Sequence, residues 1–251
     1  MGNLKAISGS ARPGARIARE EITVWWLPTD AADAADIERW RARLDEDERA
    51  RAVRFHLEAD RRDFIAAHAL LRAMLTSHLG APAEAWRFSL DANGKPGIDN
   101  RPGADDVAFN LSHTRGLVAA ALASHGAVGV DVEEIDVAKA DLAVAEAYFA
   151  PAEVELLRSA PPADRTTRFF RLWTLKEAYL KATGAGLGAP LDSFAFTLEP
   201  IRIDLGAGAD PAQWRFANLP TTGRHVLSVA AYRPANETTR FVARGLEPAD
   251  L

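Results

Sequence analysis

Residues 64–75 have the sequence FIAAHALLRAML, and residues 169–180 have the sequence FFRLWTLKEAYL. When the two stretches are superimposed, Phe, Leu, Ala and Leu coincide at four of the twelve positions, and both show the apolar spacing of an amphipathic helix. A short strand pattern follows each helix at a similar distance, at residues 88–90 and 194–196. The repeat predicts an α+β fold built from two similar α/β halves. We expect a ligand cleft between them, because domain interfaces are favoured sites for pockets.

The rest of the chain extends this pattern on both sides. Residues 1–20 mix Gly, Ser, Pro and Arg without apolar periodicity, which predicts a flexible tail and no signal peptide. An N-terminal α+β half is predicted at residues 21–125 and a C-terminal α+β half at residues 126–251, in a pseudo-twofold arrangement. Helices are predicted at residues 36–55, 59–79, 138–149, 151–159 and 164–182, and strands at residues 22–28, 88–90, 107–112, 117–124, 128–135, 194–198, 214–217, 226–232 and 241–243.

The composition excludes several classes of function. The 251 residues contain no Cys, which excludes disulfides, thiolate zinc sites and cysteine nucleophiles and suits a reducing cytoplasm. The longest strongly apolar run, residues 116–123, is far shorter than the roughly 20 residues of a membrane helix. The net charge of −5 is spread over both halves, so no basic face indicates a nucleic-acid partner. We therefore predict a cytoplasmic protein with a local site for a small anion.

An acidic strand end is the first candidate site. Residues 128–134 read VGVDVEE, and Asp131 and Glu133 lie two positions apart, so both side chains point to the same face of a strand. Two carboxylates on one face can converge on a hard cation. Taken alone, the pattern is more often that of a strand whose end is solvated.

The predicted helix at residues 164–182 carries the second candidate site. Glu177 and Lys181 are four positions apart and share a helix face, and Lys176 precedes Glu177. The chain has 25 Arg but only five Lys, and two of those five flank this glutamate. A surface ion pair is the simpler alternative interpretation, worth well under ~1 kcal/mol.

Two further motifs carry groups that bind phosphate. Residues 109–115, FNLSHTR, end a strand with Ser112, His113 and Thr114, all of which can donate to phosphate oxygens. As a structural alternative, these side chains satisfy backbone groups at a turn. His113 could also belong to a hydrolase triad, but the sequence contains no G-x-S-x-G nucleophile elbow. The other motif is the turn Gly94-Lys95-Pro96, together with the basic residues Arg49, Arg51, Arg54, Arg61, Arg62 and Arg72.

Taken in order along the chain, these motifs resemble those of the 4′-phosphopantetheinyl transferases, specifically the Sfp-type group, whose single chain has two similar halves. The likeness runs from about residue 55 to residue 193. It implies Mg²⁺-dependent transfer, with Mn²⁺ as an alternative ion, of the 4′-phosphopantetheine arm of coenzyme A to a serine of an apo carrier protein. Adenosine 3′,5′-bisphosphate is released, as in holo-acyl-carrier-protein synthases. The carrier would belong to a fatty-acid, polyketide or nonribosomal peptide synthase, and a monomeric enzyme is expected.

The resemblance also implies roles for single residues. Asp131, Glu133 and Glu177 would be the metal ligands, and Glu177, or a water that it holds, would take the proton of the carrier serine. Lys181 would neutralise the leaving phosphate, and Lys176 would hold the pyrophosphate.

A second group of residues would bind the nucleotide. His113, with Ser112 and Thr114, resembles the contact to the 3′-phosphate, and Lys95 resembles the turn lysine beside the nucleotide. Arg62 is the preferred arginine for the nucleotide, with Arg51 and Arg72 behind it. The chain departs from the family at His68, where an arginine is common.

Two other functions stay open at this point. A non-catalytic module could bind coenzyme A or a carrier, although it would not need the three carboxylates and Lys181 together. A metal-dependent pyrophosphate hydrolase would cleave coenzyme A without any carrier.

Overall fold

The computed structural model describes residues 5–6, 17–91, 95–99, 107–186, 189–206 and 210–251. The helices of these ranges are α1 Ala34–Ala42, α2 Glu46–Ala52, α3 Glu58–Leu79, α4 Leu142–Tyr148, α5 Pro151–Ser159 and α6 Pro162–Thr183. The strands are β1 Lys5–Ala6, β2 Glu21–Pro28, β3 Phe88–Leu90, β4 Pro96–Ile98, β5 Ala108–Thr114, β6 Leu117–Ala123, β7 Ala127–Glu134, β8 Ala195–Leu198, β9 Ile201–Asp204, β10 Trp214–Leu219, β11 His225–Tyr232 and β12 Arg240–Gly245.

The two halves repeat one topology. In the first half, β2 is followed by α3, the hairpin β3–β4 and the antiparallel strands β5 and β6, and the sheet order is β2-β6-β5. In the second half, β7 is followed by α6, the hairpin β8–β9 and the antiparallel strands β10 and β11, in the order β7-β11-β10. The prediction of an α+β fold with two similar halves is confirmed.

The long helices α3 and α6 each bury one face and end in the same way. Both have 22 residues and stop at a glycine with positive φ, Gly80 at 78° and Gly184 at 71°. A left-handed residue ends a helix there, and glycine adopts it without steric cost. Helix α6 crosses β7 so closely that a Cβ on Gly129 would collide with the backbone oxygen of Ala178. This approach brings the polar face of α6 next to the acidic end of β7.

Side chains rather than backbone groups join β5 to β7. The Oδ1 atom of Asn110 accepts a hydrogen bond of 2.9 Å from the backbone N–H of Val130. The hydroxyls of Ser112 and Thr114 accept longer bonds of 3.4 Å from β7 N–H groups. Because strand residues two apart share a face, these three side chains form one row along the seam between the halves. The seam places β5 hydroxyls against the carboxylates of β7.

The chain termini depart from the predicted domain boundaries. Strand β12 lies between β1 and β2 in the first sheet, and Leu246 and Leu251 pack in the first core. Residues 240–251 therefore belong with the first half, although they follow the second half in sequence. Within the tail that we predicted to be flexible, Lys5–Ala6 pair with β12, and residues 1–4 and 7–16 lie outside the described ranges.

Local structure differs from prediction in two further places. The structure has two helices, α1 and α2, where one was predicted at residues 36–55, because Asp45 caps the start of α2. The Asp45 side chain accepts a hydrogen bond from the backbone N–H of Glu48, and the Glu48 side chain accepts one from the backbone N–H of Asp45. The short strands β4 and β9 were not predicted. Searched over the described ranges, the helices include none that is long and apolar enough to cross a membrane.

Candidate active site

Three carboxylates and a lysine meet at the seam between the halves. Asp131 is only 4% exposed, and its Oδ1 atom accepts from the Nζ of Lys181 at 2.6 Å and from the Oγ of Ser112 at 3.0 Å. Glu133 accepts a bond of 3.3 Å from the hydroxyl of Thr114. Glu177, on the α6 turn before Lys181, is half-buried beside them.

Burial raises the pKa of all three carboxyl groups, and repulsion by Asp131 raises the pKa of the two glutamates further. Desolvation is the largest cause in each case, and the charge of Asp131 raises the pKa of both Glu133 and Glu177 further. The pKa of Glu133 rises to about 7. Lys181 acts in the opposite direction on all three. When all three carboxyl groups are ionised, the site carries three negative charges, and the ammonium group of Lys181 compensates only one of them.

The donor set fits a hard divalent cation. Oxygen ligands from carboxylates are what Mg²⁺ prefers, and the buried Oδ2 atom of Asp131 has no hydrogen-bond partner among the described residues. In the arrangement shown, the described side chains include no group of three or more His, Asp or Glu close enough to hold an ion. The ammonium group of Lys181 is bound to Asp131 in that arrangement.

A cavity of about 710 Å³ opens on the first-half side of the seam. Its walls are aromatic and aliphatic, with Arg51 and His113 among the polar groups. The residues that line it are Asp45, Asp47, Glu48, Arg51, Phe55, Phe64, His68, Leu71, Phe88, Leu90, Pro96, Asn110, Leu111 and His113. The guanidinium carbon of Arg51 lies 5.3 Å from the ring centroid of Phe64. We call this the larger cavity.

His113 connects the larger cavity to the carboxylate site. Desolvation lowers the pKa of His113 below the ordinary imidazole value; the charge of Asp63 opposes this shift, and the charges of His68 and Lys181 add to it. The side chain is exposed and lines the larger cavity. His113 can therefore contact a ligand in this cavity.

A second cavity, of about 240 Å³, has Glu133 in its lining. We call it the smaller cavity, and its other lining residues are Lys139, Val144, Phe169, Phe170 and Trp173. The carboxylate site therefore adjoins this cavity through Glu133, and it is next to the larger cavity through the strand residues around His113.

Both halves match known families. Residues 25–125 match the family described as 4′-phosphopantetheinyl transferase, N-terminal, and residues 127–230 match the 4′-phosphopantetheinyl transferase superfamily. The 4′-phosphopantetheinyl transferase HetI of Nostoc sp. is 36% identical over 188 residues, covering 75% of this chain and 78% of HetI. The chain belongs to the 4′-phosphopantetheinyl transferase superfamily.

Two Bacillus relatives agree with this assignment. The transferase psf-1 of Bacillus pumilus is 35% identical over 68% of this chain and 71% of its own length. The transferase Sfp of Bacillus subtilis is 30% identical over 64% of this chain and 69% of its own length. The predicted resemblance to Sfp-type transferases, with two parts in one chain, is confirmed, and the protein is an enzyme of this class.

The transferase fold brings most of the predicted site residues together. Asp131, Glu133, Glu177 and Lys181 meet at the seam, and Arg51 and His113 line the larger cavity. The hydroxyl of Ser112 has no capacity left for a nucleotide, since it donates to Asp131 and accepts from Lys181 and from Val132 N–H. We correct its predicted role: like Thr114, Ser112 orients a carboxylate.

The prediction that Lys176 holds the pyrophosphate is wrong. Its side chain is fully buried, and its Nζ atom lies 2.7 Å from Glu153, 2.7 Å from the carbonyl oxygen of Leu191 and 2.8 Å from that of Phe194. All three ammonium protons therefore have partners inside the second half. Lys176 fixes α6 against α5 and β8 instead of facing the cleft.

Three other cations lie elsewhere than predicted. The structure does not bring Arg62 to the larger cavity, because it forms ion pairs with Asp30 at 3.0 Å and Asp63 at 3.2 Å. Arg72 is completely buried behind the cavity wall. Lys95 donates to the carbonyl oxygens of residues 181 and 182, both at 3.0 Å, and so ties the first half to the end of α6. Gly94, before it, lies outside the described residues.

Sequence reasoning missed two groups of residues that line the cavities. Glu48 was not considered, although its spacing from Asp45 is that of a capping box. Phe169, Phe170 and Trp173 were predicted only as part of an amphipathic helix. Their close spacing on one helix was the available signal that an aromatic surface faces the cleft.

Proposed function

We propose that this enzyme transfers the 4′-phosphopantetheine arm of coenzyme A to a serine of an apo carrier protein and releases adenosine 3′,5′-bisphosphate. The observation that carries the proposal is that the carboxylate site adjoins two cavities: Glu133 lines the smaller one, and His113, between the two hydroxyl residues that bind the carboxylates, lines the larger one. The serine oxygen would attack the phosphorus that bears the pantetheine. The bond from that phosphorus to the bridging oxygen breaks, and the bridging oxygen leaves with the nucleotide.

The two cavities suit the two ends of coenzyme A. Aromatic walls, Arg51 and His113 make the larger cavity a fit for an adenine nucleotide with a phosphate. The smaller cavity has three aromatic side chains and a valine beside Glu133 and Lys139, and this apolar part suits an uncharged pantetheine chain. The pyrophosphate would then lie over Asp131, Glu133 and Glu177.

The residues at the seam have distinct tasks. Asp131, Glu133 and Glu177 would hold Mg²⁺ or Mn²⁺, which when bound supplies positive charge to the phosphoryl oxygens. Glu177, or a water that it holds, accepts the serine proton. The ammonium group of Lys181 stabilises the charge on the leaving phosphate. Because one chain completes this cleft, we infer that a monomer is active.

An exposed apolar patch beside the smaller cavity suits the carrier. It consists of Val137, 78% exposed, and, two residues along the chain, Lys139, whose side chain is 71% exposed. An apolar residue next to a cation matches a carrier helix that presents apolar and acidic side chains. We assign this patch to carrier docking, since Lys139 lines the smaller cavity together with Glu133.

The substitution Val137→Asp is expected to raise the KM for the carrier about tenfold, as for one lost apolar anchor of ~1.4 kcal/mol. The affinity for coenzyme A should not change. Steady-state kinetics with varied carrier gives the KM, and Val53→Asp, at a site 67% exposed in the other half, is the matched control. Equal KM values for both variants would contradict docking at this patch.

The release of adenosine 3′,5′-bisphosphate tests the reaction itself. Chromatographic analysis of the nucleotide products is expected to show release with coenzyme A, Mg²⁺ and apo carrier together, and none when the carrier is omitted. Release at a similar rate without carrier would identify a hydrolase.

A further inference from the structure

We propose that Lys95, in the first half, is a positioning residue that holds the last turn of α6 and thereby Lys181. The inference rests on the proposed function, since it takes Lys181 as the group that stabilises the leaving phosphate. It gives the turn lysine a different task from the nucleotide contact that the family resemblance implied.

The carboxyl end of α6 needs hydrogen-bond donors from outside the helix. The last four carbonyl groups of an α-helix have no N–H partner within it. In α6 the first of them, that of Leu180, accepts from the N–H of Gly184 at 3.0 Å. The carbonyl oxygens of Lys181 and Ala182 each accept from the Nζ of Lys95, also at 3.0 Å. Lys95 is thus a C-terminal cap that the other half of the chain supplies.

The backbone around Lys95 fixes the direction from which its side chain approaches. Lys95 immediately precedes β4 in the β3–β4 hairpin, where its N–H donates to Oδ1 of Asp91 and its carbonyl oxygen accepts from the N–H of Asp91, both at 2.9 Å. The half-buried side chain passes Gly184, the left-handed residue that ends α6, and a Cβ added there would lie 3.8 Å from the Cδ of Lys95. The ammonium group therefore reaches α6 from a hairpin whose ends are joined by hydrogen bonds.

A cation suits this end of a helix for two reasons. The helix dipole concentrates negative charge at the carboxyl end, and an ammonium group forms stronger hydrogen bonds with carbonyl oxygens than a neutral donor does. The last turn of a helix is also the part that frays most readily, since it has the fewest internal hydrogen bonds. Removal of the ammonium group would therefore loosen the last turn of α6 rather than the body of the helix, which the second core holds in place.

Lys181 lies in this last turn and is held from the first half at both of its ends. Its carbonyl oxygen is bound by Lys95, and its Nζ atom donates to the Oγ of Ser112, on β5, at 2.9 Å and to Oδ1 of Asp131 at 2.6 Å. Helix α6 itself belongs to the second half. The place of Lys181 at the seam is therefore set by contacts that cross from one half to the other, and Lys95 provides the contact at the backbone.

The substitution Lys95→Met keeps the apolar stem of the side chain and removes the ammonium group. We expect kcat for carrier modification to fall about tenfold, because a small displacement of a catalytic group is sufficient for such a loss. The Kd of coenzyme A, from calorimetric titration without metal or carrier, should stay within about twofold of the parent value. Lys95→Arg, which retains N–H donors, should recover part of kcat. If the side chain bound the nucleotide instead, Lys95→Met would raise the Kd and leave kcat at saturating coenzyme A unchanged, and this result would overturn the inference.

Amide hydrogen exchange, followed by mass spectrometry, measures the stability of the helix end directly and needs no substrate. In Lys95→Met, peptides that cover residues 180–186 should exchange faster than in the parent protein, while peptides at the end of α3 should not change. Arg41→Met, at an exposed arginine on α1, is the control for both measurements. Equal exchange at the end of α6 in all these proteins would also contradict the inference. Failure of the parent protein to modify any carrier would count against the proposed function, whereas the exchange result does not depend on it.

Discussion

Replacing Glu177 by Gln is expected to lower kcat for carrier modification by a factor on the order of 10³, within the range for removal of a general base. The variant keeps the shape of the side chain but removes its charge. Both proposed tasks of Glu177, binding the cation and accepting the serine proton, require the carboxylate. Because Glu177 is half-buried and forms no ion pair with another described residue, the fold should be retained.

Rates of carrier modification at saturating coenzyme A and Mg²⁺ measure this effect. Glu155→Gln, at an exposed glutamate on α5, is the matched control and should retain full activity. If Glu177→Gln kept kcat within a factor of about three, smaller than any catalytic contribution of this kind, the assignment of Glu177 to the reaction would be wrong.

Replacing Lys176 by Met is expected to lower the free energy of unfolding by about 3–5 kcal/mol, the cost of leaving one member of a buried ion pair without its partner. Both side chains of the Lys176–Glu153 pair are 0% exposed, at a separation of 2.7 Å. Burial lowers the pKa of Lys176 and raises that of Glu153, and in each case the charge and hydrogen bond of the partner oppose the shift, so each charged form is stabilised by the other. Loss of the lysine would leave the buried carboxylate of Glu153 without a charged partner.

Urea denaturation of the single variant and of Lys176→Met/Glu153→Leu measures the coupling. The double variant should recover part of the lost stability, because it removes the isolated charge. Lys139→Met, at an exposed lysine, should change stability little. An effect of Lys176→Met below about 1 kcal/mol, the scale of surface pairs, would mean that this ion pair is not buried in solution.

The parts of the site that follow from local periodicity were predictable from the sequence. Asp131 and Glu133 share a strand face, and Glu177 and Lys181 share a helix face, so spacing alone placed each pair correctly. The order of the motifs was sufficient to indicate the family.

The parts that depend on distant partners were not predictable in this way. Lys176 precedes Glu177 by one position, and nothing in the spacing indicates that it faces Glu153, on another helix, rather than the pyrophosphate. In the same way, nothing in the spacing indicates that Arg62 forms an ion pair with Asp30 instead of facing the nucleotide. Strand β12 joins the first sheet through pairing with β2, a contact between the two ends of the chain.

Intact-mass spectrometry of an apo carrier domain, incubated with this protein, coenzyme A and Mg²⁺, tests the central claim most directly. We expect a gain of one phosphopantetheine per carrier, absent with a chelator, with Glu177→Gln, and with a carrier whose acceptor serine is replaced by Ala. No gain across fatty-acid, polyketide and peptide carriers, while coenzyme A still binds, would contradict the account and indicate a binding module.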